Sequence, residues 1–92
     1  MYKEKQTSQS YVLDETGSVH MLEYYIFSTS TQSDGPFYGI KVTQYNDDQI
    51  TSESAAISSN EDRVLRTVQL YAKNFVFPCS LHELVEDIRE DS

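Results

Sequence analysis

The chain of 92 residues has no tryptophan, one cysteine, two prolines and three glycines, and each shortage excludes something. A lone Cys79 cannot form an internal disulfide, so no disulfide framework holds the fold. Gly17, Gly35 and Gly39 are scattered, and each has a turn or strand explanation, so there is no glycine-rich phosphate loop and nucleotide binding is disfavoured. No apolar stretch, Tyr24 to Phe27 included, nears the roughly 20 residues that cross a bilayer. The opening Met1-Tyr2-Lys3-Glu4-Lys5 lacks the apolar run of a signal peptide, which leads to an expected cytoplasmic location. Bases are also scarce. Seven stand against fifteen acids, and a net charge of −8 repels phosphate backbones and anionic head groups, so neither nucleic acid nor membrane is an expected partner.

What is present reads as one domain, residues 1–92, in two parts. The last third carries two helical stripes, Val64, Leu65, Val68, Tyr71, Ala72 and Phe75, then Leu81, Leu84, Val85 and Ile88, each with the spacing of one buried face. Everything before Asn60 has the period of strands. The expected class is therefore α+β: a four-stranded, mainly antiparallel β-meander followed by two C-terminal α-helices packed on one sheet face.

Tyr11 to Leu13 leads into a turn, Asp14-Glu15-Thr16-Gly17, whose glycine can take a positive φ. Residues 1–10 read as a loose terminus or as a ragged edge-strand extension, with Lys3 and Lys5 suited to an edge that avoids foreign pairing. Val19 to Phe27 is apolar on both parities, Val19, Met21, Tyr25 and Phe27 against Leu22, Tyr24 and Ile26, which predicts a central strand. Ser28 to Gly35 reads as a polar loop closed by Pro36. Phe37 to Tyr45 is the third strand, and Gly39 within it calls for a bulge or for an overlying ring, expected from Tyr24 or Tyr25. Asn46-Asp47-Asp48 turns the chain into a fourth strand, Gln49 to Ile57, for which a helix from Ser52 is the competing reading.

Ser58, Ser59 and Asn60 supply N-cap oxygens for a helix from Glu61 to Asn74, with Asn74 expected in the left-handed C-terminal position. Pro78 breaks the helix, and Ser80 with Glu83 matches a capping box for a second one from Leu81 to about Arg89. Acids near its end oppose the dipole, so residues 89–92 read as a frayed acidic tail.

Candidate chemistry is thin. Cys79 near a helix N-terminus with His82 one turn on, and Glu86 as orienting group, is the pattern of a thiol-dependent enzyme or redox sensor; a buried structural cysteine beside Pro78 is favoured over it. His82 and Glu86 supply only two metal ligands, and His20 and Glu23 point to opposite faces, so no metal and no cofactor is expected. Asp47 with Asp48, and Glu86 with Asp87, lack apolar walls that would tune them for acid–base work. No catalytic residue is assigned.

The surplus is aromatic. If helices cover one face, the other keeps Met21, Tyr25, Phe27, Phe37 and Tyr45, unless the N-terminal segment or the Ser28 to Pro36 loop folds over them. Tyr25, Phe27, Phe37 and Tyr45 are the candidate interaction surface of a non-enzymatic module that self-associates, as a homodimer for example, or docks a protein partner. An acidic decoy for a basic protein, acting through Glu83, Glu86, Asp87 and Glu90, is a further reading. Tyr38-Gly39-Ile40-Lys41-Val42, with Pro78, Leu81 and Leu84-Val85-Glu86-Asp87, resembles an uncharacterised family of short acidic proteins from Firmicutes bacteria, a domain of unknown function. That resemblance implies a small cytoplasmic bacterial protein and brings no activity, substrate or site residues with it.

Overall fold

Strands fill the first two-thirds of the chain and helices the last third in the computed structural model, which describes residues 3–13, 15–31, 35–46 and 49–90. The elements are β1 (Lys3–Leu13), β2 (Val19–Thr31), β3 (Gly35–Tyr45), β4 (Ile50–Ser58), α1 (Glu61–Lys73) and α2 (Pro78–Glu90). The strands form one antiparallel sheet in the order β1-β2-β3-β4, the predicted meander. The doubly apolar β2 lies inside the sheet, and the weakly patterned 50–58 segment is a strand at its edge. Gly17 closes the first hairpin at φ 86°, and the Asn46 N–H donates to the Gln49 carbonyl (2.8 Å) to close the third. Asp14, Asp47 and Asp48, expected in those turns, lie outside the described residues, as do residues 1–2 and 91–92.

Where it is described, the polar stretch after Phe27 is strand rather than loop, and residues 32–34 of the expected loop lie outside the described residues. Ser28 to Thr31 continue β2, and Gly35 with Pro36 begin β3, so the hairpin arms run on through register pairs Ser28↔Tyr38 to Thr31↔Gly35. Alternating serine and threonine suit an extended ladder, and β4 stops pairing at Tyr38↔Ser58. Pro36, beyond that point, is free on one side, where a residue without an N–H is tolerated.

Both helices lie on one face, with α1 over β1, β2 and β3 and α2 over β4 and β3. The core between the layers holds Leu22, Tyr24, Ile26, Ile40 and Val42 of the two central strands and Ala55 and Ile57 of β4. Against them pack Val64, Val68, Tyr71 and Ala72 of α1 and Leu81 and Val85 of α2. Tyr24 is fully enclosed, and its hydroxyl donates to the Val76 carbonyl (3.0 Å) in the connector between the helices. That bond satisfies the one polar atom an enclosed tyrosine brings with it.

Helix ends differ from the expectations in two places. The α1 N-terminus behaves as predicted: Asn60 Oδ1 accepts the Arg63 N–H (3.2 Å), and Glu61 and Asp62 sit in the first turn. At its C-terminus, however, Asn74 is the cap at φ −100°, and Phe75 takes the left-handed conformation at φ 54°. Phe75 N–H donates to Ala72 and Val76 N–H to Tyr71, the paired bonds of a Schellman motif. Asn74 instead uses its side-chain amide on the Leu70 carbonyl (2.8 Å). The second difference is at α2, which starts at Pro78: proline is the first helical residue, where a missing N–H costs nothing, and Ser80 lies inside the helix rather than capping it. The α2 backbone is helical to Glu90, close to the expected end at about Arg89.

Gly39 has both of the predicted reasons for a strand glycine. The β3–β4 register shifts between Tyr38 and Gly39, and a side chain at 39 would run into the Ala55 carbonyl oxygen and an aromatic ring. The ring belongs to Phe27, the direct cross-strand partner of Gly39, rather than to Tyr24 or Tyr25. Tyr24 points to the helices, and Tyr25 lies one step along the strand over Lys41.

Candidate functional site

The face opposite the helices is assembled by register alone. Strand alternation places 21, 23, 25 and 27 of β2 and 37, 39, 41, 43 and 45 of β3 on it, and pairing aligns Met21 with Tyr45, Glu23 with Thr43, Tyr25 with Lys41, Phe27 with Gly39 and Thr29 with Phe37. Tyr25, Phe27, Phe37 and Tyr45 therefore share one face. Tyr25, Phe37 and Tyr45 are half-buried, whereas Phe27 is buried against Gly39 and offers little of its ring to a partner. Neither segment expected to fold over this face does so among the described residues: the N-terminal stretch is β1, and Ser28 to Thr31 and Gly35 to Pro36 are strand.

The outer strands add residues to it. Tyr11 of β1 is opposite Met21, and Ile50 of β4 is opposite Tyr45, so one apolar row, Tyr11, Met21, Tyr45 and Ile50, crosses all four strands. Tyr11 is 64% and Ile50 69% exposed, and Leu13 and Val19 extend the patch at 69% and 54%. The sequence signal for Tyr11 was available, since the turn ending at Gly17 sets which residues of the two strands face each other. Ile50 needed the register of the weakest strand, which its small polar residues do not announce.

Next to this row lies a polar network. The Tyr25 hydroxyl donates to Glu23 Oε1 (2.8 Å), and this bond with a carboxylate, followed by burial, pushes the Tyr25 phenol up to about 12. Tyr45 is raised as well, first by its own hydrogen bond to Glu23, with the contact to Tyr25 opposing. One carboxylate thus anchors two phenols, each of which prefers to stay protonated beside it. Lys41 lies 5.3 Å from the Tyr25 ring centroid and reaches Glu4 Oε1 at 3.1 Å, linking β3 to β1 across β2. On the β4 side, the Thr43 and Ser52 hydroxyls are 3.2 Å apart. Neighbouring polar groups thus hold one another and fix the ring orientations.

The structure does not assemble the thiol constellation. Cys79 is the second residue of α2 and is exposed, not buried beside Pro78, because the helix starts one turn earlier than expected and carries it outward. His82 Nε2 bonds Glu53 Oε2 of β4 (3.1 Å) rather than pairing with Glu86. Among the described residues no three His, Cys, Asp or Glu side chains are grouped to hold a metal ion, and no helix is long and apolar enough to cross a membrane. His20 shares a part-buried cluster with Asn46 and Gln44, and Gln44 Nε2 also donates to Asn46 Oδ1 (3.1 Å). Of the acids read as a decoy surface, Glu83 and Glu86 are exposed on α2.

The molecule is thus an α+β protein in which a β-meander carries two helices on one face and leaves an aromatic face open. No curated protein and no solved structure matches the chain. A family model does, over residues 3–91, and the chain belongs to that family of unknown function, DUF6514.

Proposed function

We propose that this protein is a non-enzymatic interaction module that pairs with a second copy of itself, open sheet face against open sheet face. The observation that carries the reading is the row Tyr11, Met21, Tyr45 and Ile50, apolar across four strands on the face that no helix covers. Face-to-face packing of two such sheets makes a sandwich with the helices outside. A face four strands wide and about nine residues long measures on the order of 20 by 30 Å from strand spacing and rise. That is comparable to the roughly 800 Å² each partner contributes to a stable interface. Within the Glu23, Tyr25 and Tyr45 network the phenols already donate to the carboxylate, so a partner sheet leaves neither phenol without an acceptor, while the cost of desolvating Glu23 and Lys41 limits how tightly the two copies pair. We place the protein in the cytoplasm, where its one free thiol, Cys79, would stay reduced.

Light scattering of the purified protein tests this. The expected mass is that of a dimer, and Tyr45→Ser with Ile50→Ser gives a monomer that keeps its circular-dichroism spectrum. A monomeric wild type, or a dimer that survives both substitutions, overturns self-association. A monomer that forms a complex with another protein through the same residues moves the occupant to a different partner.

A further inference from the structure

The seam between β1 and α1, on the helix side of the sheet, is left unfilled. Register directs Lys5, Ser8 and Ser10 of β1 to the same side as Ile26, Tyr24 and Leu22, and these polar residues do not fill the space beneath a helix. Two cavities follow. One, of about 270 Å³, is bordered by Lys5, Ile26, Tyr38 and Glu61. The other, of about 390 Å³, lies between Thr7, Ser8 and Ser10 of the strand and Gln69, Lys73 and Phe75 at the helix end. The Schellman turn sets Phe75 at the rim of this second cavity, 48% exposed.

β1 is also an edge. It pairs with β2 only, none of residues 4–13 is buried, and Ser8 to Leu13 have no strand on their outer side among the described residues. The register shift between Gln6 and Ser8, where the Thr7 hydroxyl holds the Tyr24 carbonyl (3.1 Å), leaves Ser8 to Leu13 as the regular stretch open to a further strand.

Charge decides what fits. β1 and α1 together hold Lys3, Lys5, Arg63, Arg66 and Lys73 against Glu4, Glu61 and Asp62, five bases to three acids, while the rest of the chain has two bases to twelve acids. Glu4 is taken up by Lys41. Arg66, Gln69 and Lys73 follow one another at helical spacings of three and four, so they form one stripe, and Gln69 and Lys73 line the larger cavity. Glu4 and Glu61 line the smaller cavity beside Lys5, whereas the charged residue lining the larger cavity is Lys73, so it is the larger cavity, at the C-terminal end of α1, that favours a carboxylate.

We infer that the β1–α1 groove receives an extended acidic peptide, which adds to the free edge of β1 with carboxylates toward Arg66 and Lys73 and an apolar side chain against Phe75. This site is on the helix side and does not depend on pairing through the open face.

The test uses two fluorescein-labelled probes, one alternating valine with aspartate and the other alternating valine with lysine. Anisotropy is expected to show binding of the aspartate probe alone, weakened by roughly tenfold or more in Arg66→Glu with Lys73→Glu, since two exposed attractions become repulsions. Both residues are exposed, and Lys73→Gln gives a milder variant if the double one is unstable. Hydrogen exchange separates strand addition from loose charge attraction: the probe should protect amides between Ser8 and Leu13. Binding of neither probe, equal binding of both, or binding without that protection overturns the inference. Protection that grows with protein concentration and no probe also overturns it, because the occupant is then a second copy. Tyr45→Ser with Ile50→Ser should leave probe binding unchanged, so this result and the dimer result can fail separately.

Discussion

On the helix-covered face of the central strands, Leu22, Tyr24, Ile40 and Val42 are wholly enclosed; on the other face of the same strands, Met21, Tyr25, Lys41 and Tyr45 are half open. The backbone is shared, and consecutive residues alternate between the two environments. Tyr24 and Tyr25 show what that alternation does. Both phenols are pushed up to about 12, Tyr24 by burial and Tyr25 mainly by its hydrogen bond to Glu23. One face is stabilised by exclusion of water, and the other by polar groups that hold each other in place. Chemically similar residues therefore do different work according to what lies above them.

Four experiments sharpen or break this contrast. Leu22→Ala, which opens a cavity under the helices, should lower stability by about 2–5 kcal/mol in urea unfolding, against within about 1 kcal/mol for Tyr45→Ser on the open face. Equal losses would mean that the open face is a second core. Gly39→Ala should cost about 1–3 kcal/mol, because the new methyl meets the Ala55 carbonyl, which is backbone, as well as the movable Phe27 ring. Adding Phe27→Ala should recover only part of that loss.

Alkaline pH gives the third. A phenol whose folded pKa lies above its unfolded value of about 10 contributes fully below pH 10, and the contribution is lost as pH rises toward 12. For enclosed Tyr24 the loss amounts to about 2–3 kcal/mol at one pKa unit per 1.36 kcal/mol. Tyr24→Phe should unfold less steeply with pH over that range. Glu23→Gln should bring the Tyr25 phenol back toward 10 in an ultraviolet titration and leave Tyr24 where it is; movement of both would erase the distinction between faces. The smallest effect is expected at Phe75→Gly, which relieves a left-handed phenylalanine and should gain about 0.5–1 kcal/mol after the added freedom of the unfolded chain. A loss of stability there would show that the ring contributes more by packing than its backbone costs.

The architecture was legible because its signals are local. Helical stripes, strand parity and the Gly17 turn depend on near neighbours, and the expected membership of a family of unknown function is met by the family match over residues 3–91. The errors arose where the outcome depends on distant partners. Ser28 to Thr31 look like loop until the facing residues 35–38 are aligned with them, and the ring over Gly39 is set by register, which puts Phe27 and not a tyrosine opposite. Ser80 fits a capping box in sequence, yet the helix starts at Pro78. For the open face, parity alone grouped Tyr25, Phe27, Phe37 and Tyr45; Tyr11 and Ile50 needed the full sheet. The β1–α1 seam left no sequence signal, since it comes from residues too small to fill a space that only the docked helix defines.

Every strand in the order β1-β2-β3-β4 neighbours the one synthesised just before it, so the sheet can form hairpin by hairpin while α1 and α2 are still unfolded. At that stage the meander has two bare faces, and the arriving helices must choose between them. Leu22, Ile26, Ile40 and Val42 offer a helix uninterrupted hydrocarbon, whereas Glu23, Lys41 and Glu4 on the opposite side would have to be stripped of water beneath it. The charged residues of the open face thereby act on the folding route as well as on the finished surface: they direct both helices to the correct side of the sheet.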